Sequence, residues 1–148
     1  MIAEVLHILS SETVKRRVEV EREFDGHLPV AIGDRVQLQQ LVFNLVLNGI
    51  EAMDSILDHP KKLFIRTTLE GPETALVQIQ DSGPGLEDPE KVFEAFFTTK
   101  TNGMGMGLAI SRSIIEAHHG RLGAASAEGK GTTFFFTLPV EARAHRES

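Results

Sequence analysis

Cysteine is absent from this 148-residue sequence. That removes disulfides, a thiol nucleophile and thiolate metal sites, and it fits a reducing compartment. No apolar run reaches the ~18 residues that a membrane-spanning helix needs. The stretch Met1–Ser10 lacks the basic opening of a signal peptide. Excess positive charge is missing too. The formal net charge of -6 gives no reason to expect nucleic acid or an anionic membrane as partner. It also disfavours a polyanionic ligand, so any nucleotide site must supply its own local positive potential. Internal repeats and low-complexity stretches are absent. The expectation is a cytoplasmic domain without direct membrane contact, whose parent protein can still be membrane-anchored.

What is present is ordinary for a globular protein: 41% hydrophobic and 24% charged residues, in a chain long enough for one domain with a single core. Apolar residues at Ile2, Val5, Leu6, Ile8 and Leu9 predict a helix from Ile2 to about Val14. Val18, Val20 and Phe24 suggest a strand, and Val30–Ile32 a second short one. Asp34 is a good N-cap for a long helix from Arg35 to about Leu57, with a stripe through Leu38, Leu41, Val42, Leu45, Gly49, Ala52, Met53 and Ile56. Leu63–Leu69 and Ala75–Ile79 alternate as the strands of a hairpin around Gly71-Pro72-Glu73. Ser82–Gly107 holds seven glycines or prolines and little periodicity. A loop of that length in a small domain is either functional or disordered. Leu108–His119 is a second strong helix with Gly120 as its expected stop. Leu122–Ala127 and Thr132–Leu138 read as closing strands, and the tail after Pro139 as frayed. The class is α+β: a two-layer sandwich of a mixed, mainly antiparallel sheet with helices on one face.

Several positions interrupt these patterns with chemistry. Asn44 and Asn48 lie four apart and project from one helix face. Burying an unpaired amide costs roughly 1–3 kcal/mol. Either core backbone or solvent satisfies them, or an amide oxygen meets a hard cation such as Mg²⁺. Asp81 continues the parity of Ala75, Val77 and Ile79, which puts a carboxylate at the edge of the core. Such a group needs a donor; an adenine amino group is one candidate, and an ordinary turn capped by the aspartate is the other. Gly103, Gly105 and Gly107 precede the helix at Leu108. Glycine lets backbone amides approach a phosphate, a helix N-terminus adds partial positive charge, and Lys100 can add a point charge. The spacing is neither that of a P-loop nor that of a Rossmann turn. Thr132 shares parity with Phe134, Phe136 and Leu138, so its hydroxyl points inward.

Taken in order, these segments resemble the nucleotide-binding boxes of sensor histidine kinases. Asn44-Leu-Val-Leu-Asn48 resembles the N box and Asp81-Ser-Gly-Pro-Gly85 the first glycine box. Val92-Phe-Glu-Ala-Phe-Phe-Thr-Thr-Lys100 resembles the F box, in the form found in nitrogen-regulation and oxygen-sensing kinases. Gly103-Met-Gly-Met-Gly-Leu108 resembles the second glycine box and Gly129-Lys-Gly-Thr132 the last. The likeness implies the Bergerat fold shared with gyrase B, the Hsp90 chaperone and MutL, over a single catalytic domain spanning the chain to about Pro139. It implies ATP and Mg²⁺ as ligands. Asn48 would hold the metal, with Asn44 beside the phosphates. Asp81 would accept from the adenine amino group, with Thr132 helping through water, and Gly83 and Gly85 would let the chain pass close to the base. Ser82–Gly107 would form an ATP lid, mobile without nucleotide around Thr99–Met104, anchored by Phe93, Phe96 and Phe97. Lys100, Gly103, Gly105, Gly107 and Leu108 would border the phosphates. The partners would be a histidine-bearing dimerisation domain of the same kinase and, through it, a response regulator.

Two departures stand out. Glu51 occupies a position where many relatives carry Lys, and His118-His119-Gly120 replaces the usual His-Gly-Gly. Related ATPases are expected to carry a general-base Glu at the position of Asn44. None of the six histidines has the His-Glu-Leu/Ile…Pro context of a phosphoacceptor, so the substrate histidine lies on another domain. Two alternatives stay in play: a module that binds nucleotide and reports its state without transferring phosphate, and an ATPase or serine kinase of the same fold.

Overall fold

The period-two runs of the sequence become a sheet and the period-3.6 runs become helices laid on one of its faces. The structure, a computed structural model of the chain, describes residues 2–24, 34–54, 56, 58–85, 93, 105–127 and 131–140. Within them, α1 (Ile2–Ile8), α2 (Ser10–Lys15), β1 (Val18–Phe24), α3 (Arg35–Ala52), β2 (Lys61–Leu69), β3 (Thr74–Asp81), α4 (Gly105–Ala117), β4 (Leu122–Ala127) and β5 (Gly131–Pro139) follow one another. The strands form one sheet in the order β1-β2-β3-β5-β4. β1 runs parallel to β2, and the other three pairings are antiparallel. A parallel pair needs a crossover connection, and α3 supplies it. The expected α+β two-layer architecture is the one observed. The Val30–Ile32 segment and the tail from residue 141 lie outside the described residues.

Strand parity decides which side chains reach the core. Leu63, Ile65, Val77, Ile79, Phe134, Phe136 and Leu138 are buried under the helices. Leu41, Val42, Leu45, Val46 and Ile50 of α3, and Met53 just past its end, are fully buried opposite them. Asp34 caps α3, its Oδ1 accepting from Gln37 N at 3.0 Å, which satisfies one of the four orphan N–H groups of the first turn.

Three boundaries differ from those read in the sequence. The first helix is broken at Leu9, where the Ser10 hydroxyl donates to the His7 carbonyl at 2.7 Å and competes with the helical ladder. α3 stops at Ala52 rather than near Leu57, passing into successive tight turns from Met53 N to Ile50 O and from Asp54 N to Glu51 O. α4 starts at Gly105, three residues before Leu108.

The end of α4 also corrects the sequence reading. The left-handed residue is His119, at φ 66°, and not Gly120. Gly120 is required for a different reason: a Cβ there would lie 1.9 Å from the Thr137 carbonyl oxygen. This is where the chain turns back against β5, with Arg121 N donating to Thr137 Oγ1 and Thr137 N to Arg121 O. A non-glycine residue held in the left-handed region is strained by about 1 kcal/mol or more. His119→Gly is therefore expected to stabilise the fold by about 0.5–1 kcal/mol, after the larger unfolded-state entropy of glycine is subtracted. Equilibrium urea unfolding checks this; an unchanged or lowered midpoint would contradict it.

Candidate functional site

The last residue of β3 is the pivot. Asp81 is 3% exposed and faces the helices, as its parity predicts. A buried carboxylate requires donors. Its Oδ1 receives the backbone N–H of Gly83 at 2.9 Å and that of Thr132 at 3.3 Å. Gly83 belongs to the turn after β3 and Thr132 to the start of β5, so two segments remote in sequence hold one oxygen.

Glycines make this convergence possible. A Cβ on Gly83 would lie 3.1 Å from the Ala52 carbonyl oxygen, so the turn after β3 rests on the end of α3. At Gly49 a Cβ would meet Leu63 Cδ1 at 2.9 Å and approach Asp81 Oδ2 to 3.9 Å. The second carboxylate oxygen thus overlooks bare helix backbone one residue after Asn48. Gly131, at φ 75°, brings β5 against the Asp81 carbonyl. Sequence reading placed Gly49 merely in an apolar stripe. Its signal was the roughly 1 kcal/mol that a mid-helix glycine costs against alanine, a cost that calls for a packing reason.

The other expected residues fall on α3, on β5, in the turn after β3 and on α4. Asn48 is buried and Asn44 half-buried on α3; Thr132 is buried; Gly85 sits at φ 85°. Ser82, which carried no role in the sequence, joins three segments. Its hydroxyl accepts from Lys62 N at 2.9 Å and lies 3.3 Å from both the Pro60 carbonyl oxygen and Met53 Sδ. Phe93 is buried edge-on against Phe134, ring centroids 6.0 Å apart, with the Arg112 guanidinium 4.3 Å from its ring centroid. Leu108 and Ser111 are buried on α4. Gly105 and Gly107, expected in a loop ahead of the helix, form the first turn of α4 instead. Lys100, Gly103, Phe96, Phe97 and the Thr99–Met104 stretch lie outside the described residues. A shallow concavity of about 420 Å³ shares Asp81 and Ser82 with this constellation but includes none of Asn44, Asn48 or Thr132. Its other lining residues are Glu21, His59, Lys62, Phe64 and Gln80.

The donor set bears on a metal. Among the described residues no three His, Cys, Asp or Glu side chains cluster as a cation site. Asn48 offers a neutral amide oxygen, a suitable but weak ligand for a hard cation. A divalent ion fits here when further oxygens arrive with the ligand. No helix among the described residues is long and apolar enough to cross a membrane.

Comparison with known proteins points in one direction. Residues 33–142 match the family model described as histidine kinase-, DNA gyrase B- and HSP90-like ATPase. The C4-dicarboxylate transport sensor protein DctS of Rhodobacter capsulatus is 37% identical over 142 residues, covering 95% of this chain and 22% of that protein. The sensor protein FixL of Bradyrhizobium diazoefficiens is 41% identical over 128 residues, covering 85% of this chain and 25% of that protein. The chain thus spans about a quarter of these relatives. The catalytic domain of histidine kinase ThkA superposes with a TM-score of 0.81 at 32% identity, over 94% of this chain and 90% of that domain. ThkA in complex with the response regulator TrrA matches at 29% identity and a TM-score of 0.78, over 95% of this chain and 39% of that one.

Proposed function

Because the chain belongs to the histidine kinase-, DNA gyrase B- and HSP90-like ATPase family, as a nucleotide-binding catalytic domain of the histidine kinase type, we propose that it transfers the γ-phosphoryl group of ATP to a histidine on a dimerisation domain of the same kinase. From there the phosphoryl group passes to a response regulator in the cytoplasm. The observation that carries the reading is the buried Asp81 carboxylate, held at Oδ1 by the backbone N–H groups of Gly83 and Thr132 and close to Gly49, the residue after Asn48.

Each residue has a role in that reading. Asp81 accepts a hydrogen bond from the adenine amino group, and Thr132 assists through water. Gly83 and Gly85 let the turn lie close to the base. Phe93 anchors a lid over Ser82–Gly107, in which Lys100 and Gly103 border the phosphates. Gly105, Gly107 and Leu108 open α4, whose N-terminal N–H groups and dipole favour phosphate oxygens. Asn48 holds Mg²⁺ that enters with the nucleotide, and Asn44 lies beside the phosphates. Mg²⁺ supplies charge neutralisation on the phosphate oxygens when bound. Glu51 on α3 cannot bind phosphate, so local positive charge falls to Lys100 and the ion.

The transfer itself needs little from this chain beyond positioning and electrostatic stabilisation. A neutral imidazole nitrogen of the acceptor uses its lone pair to form the N–P bond while the bond to the β-phosphate oxygen breaks and ADP leaves. Water is a poorer nucleophile and needs a base, worth typically 10²–10⁴-fold. The amide of Asn44 cannot accept a proton at neutral pH, so ATP persists until the histidine arrives.

Incubation with γ-labelled ATP and a matching dimerisation domain tests the reading. Label is expected on that domain, with phosphate release by the chain alone far below the ~1 s⁻¹ of ordinary enzymes. Binding of ATP with no labelled product would favour a reporter module. Phosphate release near ~1 s⁻¹, or release dependent on Glu51, would favour an ATPase.

A further inference from the structure

His118 makes two hydrogen bonds that together tie one helix to another. Its Nδ1 lies 2.8 Å from the Ile114 carbonyl oxygen, in the last turn of α4. Its Nε2 lies 3.0 Å from the backbone nitrogen of Asp34, the N-cap residue of α3. The partners fix the tautomer. A carbonyl oxygen only accepts, so Nδ1 carries the proton; a backbone N–H only donates, so Nε2 offers its lone pair.

The two ends joined here are remote from the Asp81 constellation. Asn48 lies fourteen residues beyond Asp34 on α3, and α4 is 13 residues long. At 1.5 Å per residue each span is roughly 20 Å. α3 and α4 pack on one another. With the last turn of α4 fastened to the cap of α3, the helices run in opposing senses. The Gly105 end of α4 therefore runs back toward the part of α3 that carries Asn48.

We propose that His118 is a positioning residue: in its neutral form it rivets the end of α4 to the cap of α3 and so sets the alignment of the two helices at the nucleotide site. Its protonation releases the rivet. An imidazolium keeps the Nδ1–H bond to Ile114 but turns Nε2 into a donor facing another donor, so the Asp34 contact fails. Charged groups adjoin both of its attachment points. From α3 they are the Asp34 carboxylate, which is turned onto Gln37 N, and Arg35, whose guanidinium bonds Glu4 of α1. On its own helix end Glu116 and His119 flank it. The link needs the neutral imidazole, because only then does Nε2 offer a lone pair to the Asp34 N–H. The consequence for nucleotide rests on the function proposed above; the rivet itself does not.

Two-dimensional ¹H–¹⁵N spectra of the nucleotide-free chain test the rivet between pH 8 and 5.5, with ATP affinity measured over the same range. The Asp34 amide is expected to shift with the same midpoint as the His118 ring protons. ATP affinity should fall roughly fivefold with it, the worth of one lost hydrogen bond. His118→Gln, which can both donate and accept, should retain affinity near the neutral wild type and lose the pH response at Asp34. His118→Phe, which can do neither, should show the low affinity at every pH. An Asp34 amide that ignores the His118 titration overturns the rivet. An amide that follows it while ATP affinity stays flat overturns its role at the site. Wild-type chain that binds no ATP at any pH would instead defeat the nucleotide reading and leave the amide to decide the rivet.

Discussion

Asp81→Asn is expected to weaken ATP binding by roughly a hundredfold, the loss of a charge-assisted hydrogen bond, while GTP binding changes little. The geometry dictates which atom changes. Gly83 N–H and Thr132 N–H both point at Oδ1 and demand an acceptor there. In the variant the amide oxygen must take that position, which puts the NH₂ group where Oδ2 stood, over Gly49. In the proposed role of Asp81, the acceptor offered to the base thereby becomes a donor. The adenine amino group then meets a donor, whereas guanine presents a carbonyl at the same place and can accept. Because both backbone contacts survive, the fold should keep its stability to within about 1 kcal/mol. Calorimetric titration with the two nucleotides, alongside urea unfolding, separates the effects. Unchanged ATP affinity would remove Asp81 from base recognition. An equal loss for both nucleotides would show that the substitution had damaged the pocket instead.

What was legible in the sequence follows from how local each signal was. The cap at Asp34, the parity of Asp81 and Thr132 and the β2–β3 hairpin rest on rules that act within a few residues. The structure reproduces all of them. The parallel pairing of β1 with β2 was not readable, because it depends on how α3 carries the chain across the sheet. The breaks at Leu9 and Met53 and the early start of α4 turn on competition between neighbouring hydrogen bonds, which periodicity does not register. Gly120 and His119 exchanged roles because the clash with Thr137 is tertiary. His118 bonds the Ile114 carbonyl of its own helix, a contact between residues four apart. Its second partner, Asp34, is 84 positions away in sequence and had no sequence signal. At the candidate site the pattern repeats. Asp81, Asn48 and Thr132 announced themselves as polar residues at apolar positions, whereas Gly49, Ser82 and Gly131 matter through what lies beside them.

Gly131 carries the largest stability effect expected of a single methyl group. Two causes coincide there: φ is 75°, and an added Cβ would sit 2.0 Å from the Asp81 carbonyl oxygen and 3.1 Å from Gly83 N. Both neighbours are backbone, so neither can swing aside as a side chain would. Relief requires β5 and the end of β3 to separate at the point where Thr132 N–H reaches Asp81 Oδ1. Gly131→Ala is therefore expected to cost about 3 kcal/mol or more, the left-handed strain adding to a clash in packed surroundings. It should also weaken ATP binding by the folded fraction at least tenfold, since a carboxylate that loses the Thr132 N–H no longer holds its orientation. Gly71 supplies the control. It has the same φ of 75° but nothing within 4 Å of an added Cβ, in the β2–β3 turn away from Asp81. Gly71→Ala should cost only about 1 kcal/mol, the left-handed strain alone, and leave ATP affinity unchanged. Unfolding and binding measured on both variants distinguish strain from contact. Equal losses at the two positions would mean that the approach of β5 to Asp81 contributes nothing beyond the backbone angle, and the convergence of Gly83, Thr132 and Asp81 would then not be what shapes the pocket.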